Sequence, residues 1–352
     1  MKQIAIVILN WNGQKLLKQF LPSLFCYTPM YQAEIIVVDN GSTDDSINFL
    51  KLHYPEITIH ALPENYGFAK GYNHALIGLK HRYVVLLNSD VEVTYGWLQT
   101  AFNYLEHHPE VSALQPKILS YNNKSRFEYA GACGGFIDKN GYPFCRGRIF
   151  NTIEQDNGQY EEPIPIFWAS GACMFIRLKD YKEAGGLDEA FFAHQEEIDL
   201  CWRLNARGKK IVCLPQSVVY HVGGATLKKE NSKKTYLNFR NNLLMIYKNM
   251  PESKYTRTMT IRRFWDYLSV LHFILKGQIA NAKAVVKAYK DFKKMKKQYK
   301  NIRTINEELR SIDFPETILQ ESLIWKYYFK NKKRFDLLIN NPSIHTDDER
   351  NS

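Results

Sequence analysis

The sequence predicts an α/β protein, a sheet of largely parallel strands covered by helices. Two observations carry this: short, continuously apolar runs rich in β-branched residues, and amphipathic helical stretches alternating with them. Strands apolar at every position are buried on both faces, the habit of parallel strands joined by crossover helices. Ile4–Leu9 is the first such run, and helical spacing follows from Gln14 to Phe25. Glu34–Asp39 is the second strand. The next helix is expected to open at Ser42 or Thr43, with Asp44 and Asp45 in its first turn, where acids suit unpaired N–H groups. Ile57–Leu62 reads as a strand, Ala69–Lys80 as a helix and Tyr83–Leu87 as a strand. From Val111 to about Phe167 the pattern turns irregular. Order returns with a strand-like Gly171–Arg177, a helix over about Gln195 to Arg207 and a strand over Lys210–Tyr220.

Composition bounds the function. Of 352 residues, 45% are apolar and 24% charged, enough to fill a core. The formal charge of +11 comes from residues 228–352, which carry +14 against −3 for residues 1–227. The basic surplus therefore says nothing about what the first two-thirds bind. Six cysteines show no CxxC pair or zinc spacing, which fits a reduced, cytoplasmic setting. The apolar N-terminus is too short for a signal peptide and reads as a buried strand. Phe264–Leu275 is interrupted by Asp266, Ser269 and His272, so it falls short of the about 20 apolar residues that span a bilayer. We expect a domain over 1–250, a basic helical extension over 251–335 and a disordered tail over 336–352.

In an open α/β sheet ligands bind beyond the carboxyl ends of the strands. Here those ends are polar: Asn10, Trp11, Asn12 and Gly13 follow the first strand, Asp39 to Asp44 the second, Asn65 to Gly71 the third, and Asn88, Ser89, Asp90 and Glu92 the fourth. Aligned along one edge, they make a cleft of carboxylates, amides and backbone donors. A dinucleotide fold needs GxGxxG after the first strand, and a P-loop needs GxxxxGK[ST]; neither occurs. A nucleotidyltransferase needs a Gly-rich basic loop at the same place, which Trp11-Asn12-Gly13-Gln14 is not. A catalytically silent nucleotide-sugar binding module remains as the non-enzymatic alternative.

The blocks ILNWNG (Ile8–Gly13), VVDNGSTD (Val37–Asp44), ENYGFAKGYN (Glu64–Asn73), LLNSD (Leu86–Asp90), SGACMFIR (Ser170–Arg177), GGLDEAFFAHQEEIDLCWRL (Gly185–Leu204) and YHVGGAT (Tyr220–Thr226) occur in that order. Together they resemble the inverting family 2 glycosyltransferases, in their rhamnosyltransferase-like branch of bacterial polysaccharide synthesis. The resemblance covers about residues 3–250. It implies the GT-A fold, a Rossmann-like mixed sheet, and a nucleotide-diphospho-sugar donor bound by Asn10, Asn12, Asp39, Gly41, Asn65, Lys70, Asn88 and Asp90. Asp39 resembles the aspartate that accepts the base's N–H, and a carboxylate suits an edge that donates. Asn88-Ser89-Asp90 stands at the family's D-x-D element with Asn in place of its first acid. Asp90, with His221, is then expected to hold Mg²⁺ or Mn²⁺, since imidazole and carboxylate suit such ions. Glu92 should face solvent. In the acidic block, Glu196 and Asp199 share a helix face while Glu197 points elsewhere. Glu197 is the expected general base; Glu196 and Asp199 would position the acceptor or Arg203. Trp168, Gly171 and Ala172 are expected beside the acceptor or the donor sugar, with Trp168 either stacking on sugar or filling core.

From Lys276 to Ile302, apolar residues at Ile279, Ala282, Val285, Val286, Tyr289, Phe292, Met295, Tyr299 and Ile302 mark one helical face, and the eight lysines from Lys283 to Lys300 occupy the others. Such a helix can lie on an anionic membrane, or pack as a solvated helix on its own catalytic domain. No nucleic-acid motif accompanies it, so nucleic acid is not an expected partner. The expected acceptor is a glycan or a polyprenyl-diphosphate-linked glycan, reached by a cytoplasmic enzyme lying peripherally on the inner face of the membrane.

Overall fold

Apolar residues at every strand position feed two cores, one on each face of the sheet, because successive side chains point to opposite sides. The computed structural model describes residues 2–223 and 232–339. It opens with β1 (Ile4–Asn10), α1 (Gln14–Tyr27), β2 (Ala33–Asn40), α2 (Ser46–His53), β3 (Thr58–Leu62), α3 (Gly67–Leu76) and β4 (Tyr83–Asn88). Then come β5 (Val91–Val93), α4 (Trp97–His107), β6 (Val111–Ser120) and β7 (Asn123–Phe127). The irregular stretch holds β8 (Gly135–Asp138), β9 (Pro143–Cys145), β10 (Arg148–Ile149), β11 (Thr152–Ile153) and β12 (Ile164–Pro165). Next are β13 (Cys173–Arg177), α5 (Leu178–Glu183), α6 (Glu196–Ala206) and β14 (Lys210–His221). The chain continues through α7 (Ser232–Asn249), α8 (Glu252–Leu275), α9 (Ile279–Met295), α10 (Lys300–Glu308), β15 (Ile318–Leu319) and α11 (Phe335–Leu338).

The main sheet runs β3-β2-β1-β4-β13-β6-β14-β12. Its first four strands are parallel. β13 lies antiparallel to both β4 and β6, which makes the sheet mixed. Val7, Val38 and Leu86 face one core, with Tyr72 and Trp202; Ile6, Ile8, Val37 and Val85 face the other, with Leu17 and Trp97. Register sets the polar edge, since Asn10 pairs with Asp39 across β1 and β2, and Leu9 pairs with Asn88 across β1 and β4.

Local details depart from the expected elements. α2 starts at Ser46 rather than Ser42 or Thr43, because Asn12 draws the Ser42–Asp44 turn toward β1 and Asp44 Oδ1 accepts the Ser46 N–H instead. α3 ends at Leu76, where Ile77 turns extended and Gly78 takes φ +79°. The helix expected over Lys276–Ile302 is two helices, α9 and α10.

Beyond residue 250 the chain returns to the first domain. β15 joins the smaller sheet by pairing Ile318 with Ile137 of β8, and the Phe335 ring packs 4.9 Å from Phe136. The boundary expected at 335/336 falls inside α11, whose Leu338 is buried. The remainder of that tail, 340–352, lies outside the described residues. α9 packs against α7 and α8, burying Ala282, Val285 and Phe292, and Tyr299 just beyond it is buried too. Most of the expected membrane-facing stripe is thus covered by the chain's own helices. No described helix is long and apolar enough to cross a membrane.

Candidate active site

The carboxyl edge of β1 and β2 forms a floor. Asn10 Nδ2 donates to Asp39 Oδ2 at 3.1 Å, and Asp39 Oδ1 accepts the Ser42 N–H at 2.9 Å. Asp39 is buried, with one lone pair on each oxygen left to accept. Asn10 Oδ1 is buried without a partner among the described residues. Asn12, at φ +50°, staples two loops: its Oδ1 accepts the N–H groups of Thr43 and Asp44, at 2.7 and 3.2 Å. Gly41 has φ +73°, and a Cβ there would meet the backbone of Glu64 at 2.6 Å, so the turns after β2 and β3 touch only because it is glycine.

Asn40, which sequence reasoning passed over, ties β2 to the entry of α3. Its Nδ2 donates to Asn65 Oδ1 and Gly67 O, both at 3.1 Å, and its Oδ1 accepts the Tyr66 N–H. Asn65 is therefore a loop fastener. Lys70 lies with Nζ 4.0 Å above the Tyr66 ring.

At the end of β4, Asp90 Oδ1 lies 3.1 Å from His221 Nε2, and Asn88 Nδ2 is 3.4 Å from the same nitrogen. β14 puts His221 there by pairing it with Val91. Glu128, also passed over in sequence, faces the other side of the ring with Oε2 3.4 Å from Nδ1. Burial opposes a charged imidazole, but the hydrogen bonds and charges of Asp90 and Glu128 outweigh it and push His221 up to about 10. Burial likewise raises Asp90, and His221 with nearby backbone N–H groups more than reverses it, holding the carboxyl below its usual range. Nε2 and Oδ1 stand at the separation of two adjacent ligands on an octahedral cation with bonds of about 2.1 Å. No group of three His, Cys, Asp or Glu poised to hold a metal occurs among the described residues. A cation would have to displace the proton that His221 holds, and the pair would then give it two adjacent ligands and leave the rest of its shell to a ligand's oxygens. Glu92 pairs with Lys124 and is partly exposed.

The acidic block forms the first turn of α6. It is approached through strained backbone: Phe192, His194 and Gln195 have φ of +64°, +71° and +73°. Asn241 of α7 holds this turn, its Nδ2 donating to the carbonyls of Phe191, Ala193 and His194 at 3.0, 2.9 and 2.7 Å. Phe192 O accepts the Phe68 N–H of α3, joining the turn to the loop that enters α3. Burial lifts the Glu197 carboxyl to about 7, against the N–H groups of its own turn. Burial and the Glu197 charge push Glu196 well above the carboxylate range. One buried oxygen of each has no partner among the described residues. The Cys145 thiol, raised to about 11 chiefly by burial, also feels the charges of Glu128 and Glu197, so β9 has both carboxylates near it.

Several expected site residues sit elsewhere. Asp199 is fully buried and bound to Arg203, Lys248 and Asn249, with its carboxyl held low by those two cations against burial. Arg203 is spent on Asp199 and on the carbonyls of Ala184 and Gly186. Neither reaches a cleft, because the apolar side of α6 carries both into the core. Trp168 is core as well: only 3% exposed, its indole N–H donates to Phe136 O and its ring covers Gly135. Gly171 packs on the Phe68 ring, and Ala172 O accepts the Asn88 N–H at 3.0 Å. That turn braces the D-x-D position from behind. Contacts thus run unbroken from Asp39 through Asn40, Gly67 and Phe192 toward Glu197, and from Phe68 through Gly171 and Asn88 to His221.

The model of glycosyl transferase family 2 matches residues 5–185, just over half the chain. The chain belongs to glycosyltransferase family 2. Glu197 and His221 lie beyond the matched segment. Among curated relatives of this glycosyltransferase is the N-acetylglucosaminyl-diphospho-decaprenol L-rhamnosyltransferase of Mycobacterium tuberculosis, 24% identical over 62% of this chain and 75% of that one. Staphylococcus aureus TarS 1–349, solved in complex with UDP-GlcNAc, superposes with a TM-score of 0.56 at 16% identity, covering 88% of this chain and 89% of that one. The mannosyltransferase PcManGT from Pyrobaculum calidifontis, solved with GDP-Man and Mn²⁺, gives 0.51 at 13% identity, covering 87% of each. These two likenesses concern the fold, which is the GT-A arrangement with a helical C-terminal region.

Proposed function

We propose that this glycosyltransferase moves a sugar, with inversion, from a nucleotide-diphospho-sugar to a hydroxyl of a glycan or polyprenyl-diphosphate-linked acceptor in bacterial cell-surface polysaccharide synthesis. The donor is dTDP-rhamnose-like, or a UDP- or GDP-sugar. The observations that carry the reading are a carboxyl raised to about 7 in the first turn of α6 and, just past β4, a carboxylate–imidazole pair spaced for a cation. The name of the mycobacterial relative supports a lipid-linked acceptor, and the nucleotide-sugar and Mn²⁺ complexes of the structural neighbours support the donor class and the metal.

Asp39, steadied by Asn10 and Ser42, accepts the N–H of the base. Asn12, Gly41, Asn65 and Lys70 shape the loops over the ribose and diphosphate. Asp90 and His221 hold Mg²⁺ or Mn²⁺ beside Asn88. When bound, the cation neutralises charge developing on the departing diphosphate. Glu197 takes the proton of the acceptor hydroxyl. The acceptor oxygen bonds to the anomeric carbon as the bond from that carbon to the diphosphate oxygen breaks, and the nucleoside diphosphate leaves. Glu196, whose carboxyl is pushed up by burial and by the Glu197 charge, positions the acceptor. A lipid-linked acceptor places the enzyme peripherally on the inner face of the membrane.

The test titrates UDP-, dTDP- and GDP-sugars with and without Mn²⁺ while following thermal stability. A bound donor raises the melting temperature, and Asp90→Ala removes the metal-dependent part. A shift unchanged in Asp90→Ala takes that residue out of the site; no shift with any donor sinks the reading.

A further inference from the structure

The stripe expected to face a membrane is mostly covered, and a different face is bare. α8 is 24 residues long, yet none of its residues beyond Asp266 is buried. Phe264, Leu268, Leu271 and Leu275 follow one another at four, three and four residues along one line of the helix, exposed by 59, 41, 50 and 79%. Tyr267 and Ile274, also exposed, widen the line. Trp325, Tyr328 and Phe329 stand beside it: the Trp265 and Phe329 rings lie 6.3 Å apart, and Trp325 stacks on Phe329 at 4.5 Å. A contiguous face this apolar on a folded chain marks a docking site.

We propose that this face, the C-terminal half of α8 with the Trp325–Phe329 turn, lies in the interface of an anionic lipid membrane. Its purpose rests on the lipid-linked acceptor proposed above; its evidence does not. Charge chooses the occupant. From Lys254 to Lys276 the single acid is Asp266, which is buried and paired with Arg262, whereas Lys254, Arg257, Arg263 and Lys276 are exposed. Lys330 and Lys333 follow the aromatic turn, and no acid lies between Glu321 and Asp336. Basic side chains rimming Trp, Tyr, Phe and Leu are the pattern of a helix lying in the headgroup layer. A second copy fits poorly, since a two-fold interface brings each patch against itself and sets these cations against one another.

The full chain is sedimented with vesicles of phosphatidylcholine alone and of equimolar phosphatidylcholine and phosphatidylglycerol, with neither donor nor acceptor present. The protein binds the anionic vesicles. Phe264→Ser, Leu268→Ser and Leu271→Ser, combined, lower the partition coefficient at least about tenfold while the melting curve stays cooperative. Arg263→Glu with Lys276→Glu weakens anionic binding without touching the apolar line. Three results overturn the proposal: no binding by the native chain, equal binding to neutral vesicles, or triple-variant binding equal to native. A dimer by light scattering that the triple variant splits, with no vesicle binding, gives the face to a second copy and also overturns it. No outcome depends on donor binding or on Glu197, so failure of the transferase reading leaves a separate signature.

Discussion

Glu197→Gln should separate function from stability. The aligned N–H groups of the first turn of α6 favour a carboxylate, yet burial wins and raises the carboxyl from 4.5 to about 7. Below pH 4.5 the folded and unfolded chains both keep the proton, and nothing is lost. Between 4.5 and about 7 the unfolded chain releases it first, so stability falls as pH rises. Above about 7 the whole penalty stands, about 3 kcal/mol for a shift of this size. The amide keeps the shape and never ionises, so at pH 8 the variant should melt a few degrees higher than the native protein and at pH 4 at the same temperature. Turnover should fall by about 10² to 10⁴-fold. In the native enzyme, turnover should rise about tenfold per pH unit until about 7 and then level, as expected of a base that must be ionised. Calorimetry at the two pH values and nucleoside diphosphate release across the range provide the measurements. Turnover within about tenfold of native, or loss of turnover and stability together, would refute the assignment.

Other residues give independent checks. Glu128→Gln removes the carboxylate from His221 Nδ1 and should weaken Mn²⁺ binding in the presence of nucleotide by about 10- to 100-fold, measured by calorimetric titration; unchanged affinity disconnects Glu128 from the metal. Lys248→Met takes the shared cation from Asp188 and Asp199, leaving Asp199 to Arg203 and Asn249, and should cost about 3–5 kcal/mol in urea denaturation, while a donor still raises the melting temperature. Trp168→Ala should cost about 3–5 kcal/mol and leave the acceptor KM unchanged; an altered KM with little loss of stability would return Trp168 to the sugar site.

The strands were legible because their pattern is local. IAIVIL, EIIVVD and YVVLL announce burial on both faces; β1 and β4 extend those runs only to the polar residue that closes each, and β2 adds one residue at either end. The polar edge was legible for the same reason, since Asn10, Asp39 and Asn88 each end an apolar run. The acidic block was visible as a block but not as three roles. Helical spacing put Glu196 and Asp199 on one face, but only the packed structure puts Lys248 of α7 against Asp199 and leaves Glu197 with an open oxygen. Trp168 stayed open for a related reason: a tryptophan beside small residues looks the same in sequence whether glycine makes room for a sugar or, as Gly135 does here, for the indole itself.

By itself, then, the chain's order of residues determined the α/β class, the main strands and most of their helices, the polar edge and the family resemblance, because burial and turn chemistry act over a few neighbouring residues. Tertiary structure alone decided that β13 runs antiparallel, that Glu128 backs His221, that Asn40 and Asn241 hold the two loops, and which basic helix turns its apolar side outward. Those outcomes depend on side chains far apart in sequence competing for the same space and the same hydrogen bonds, and no local pattern records who wins.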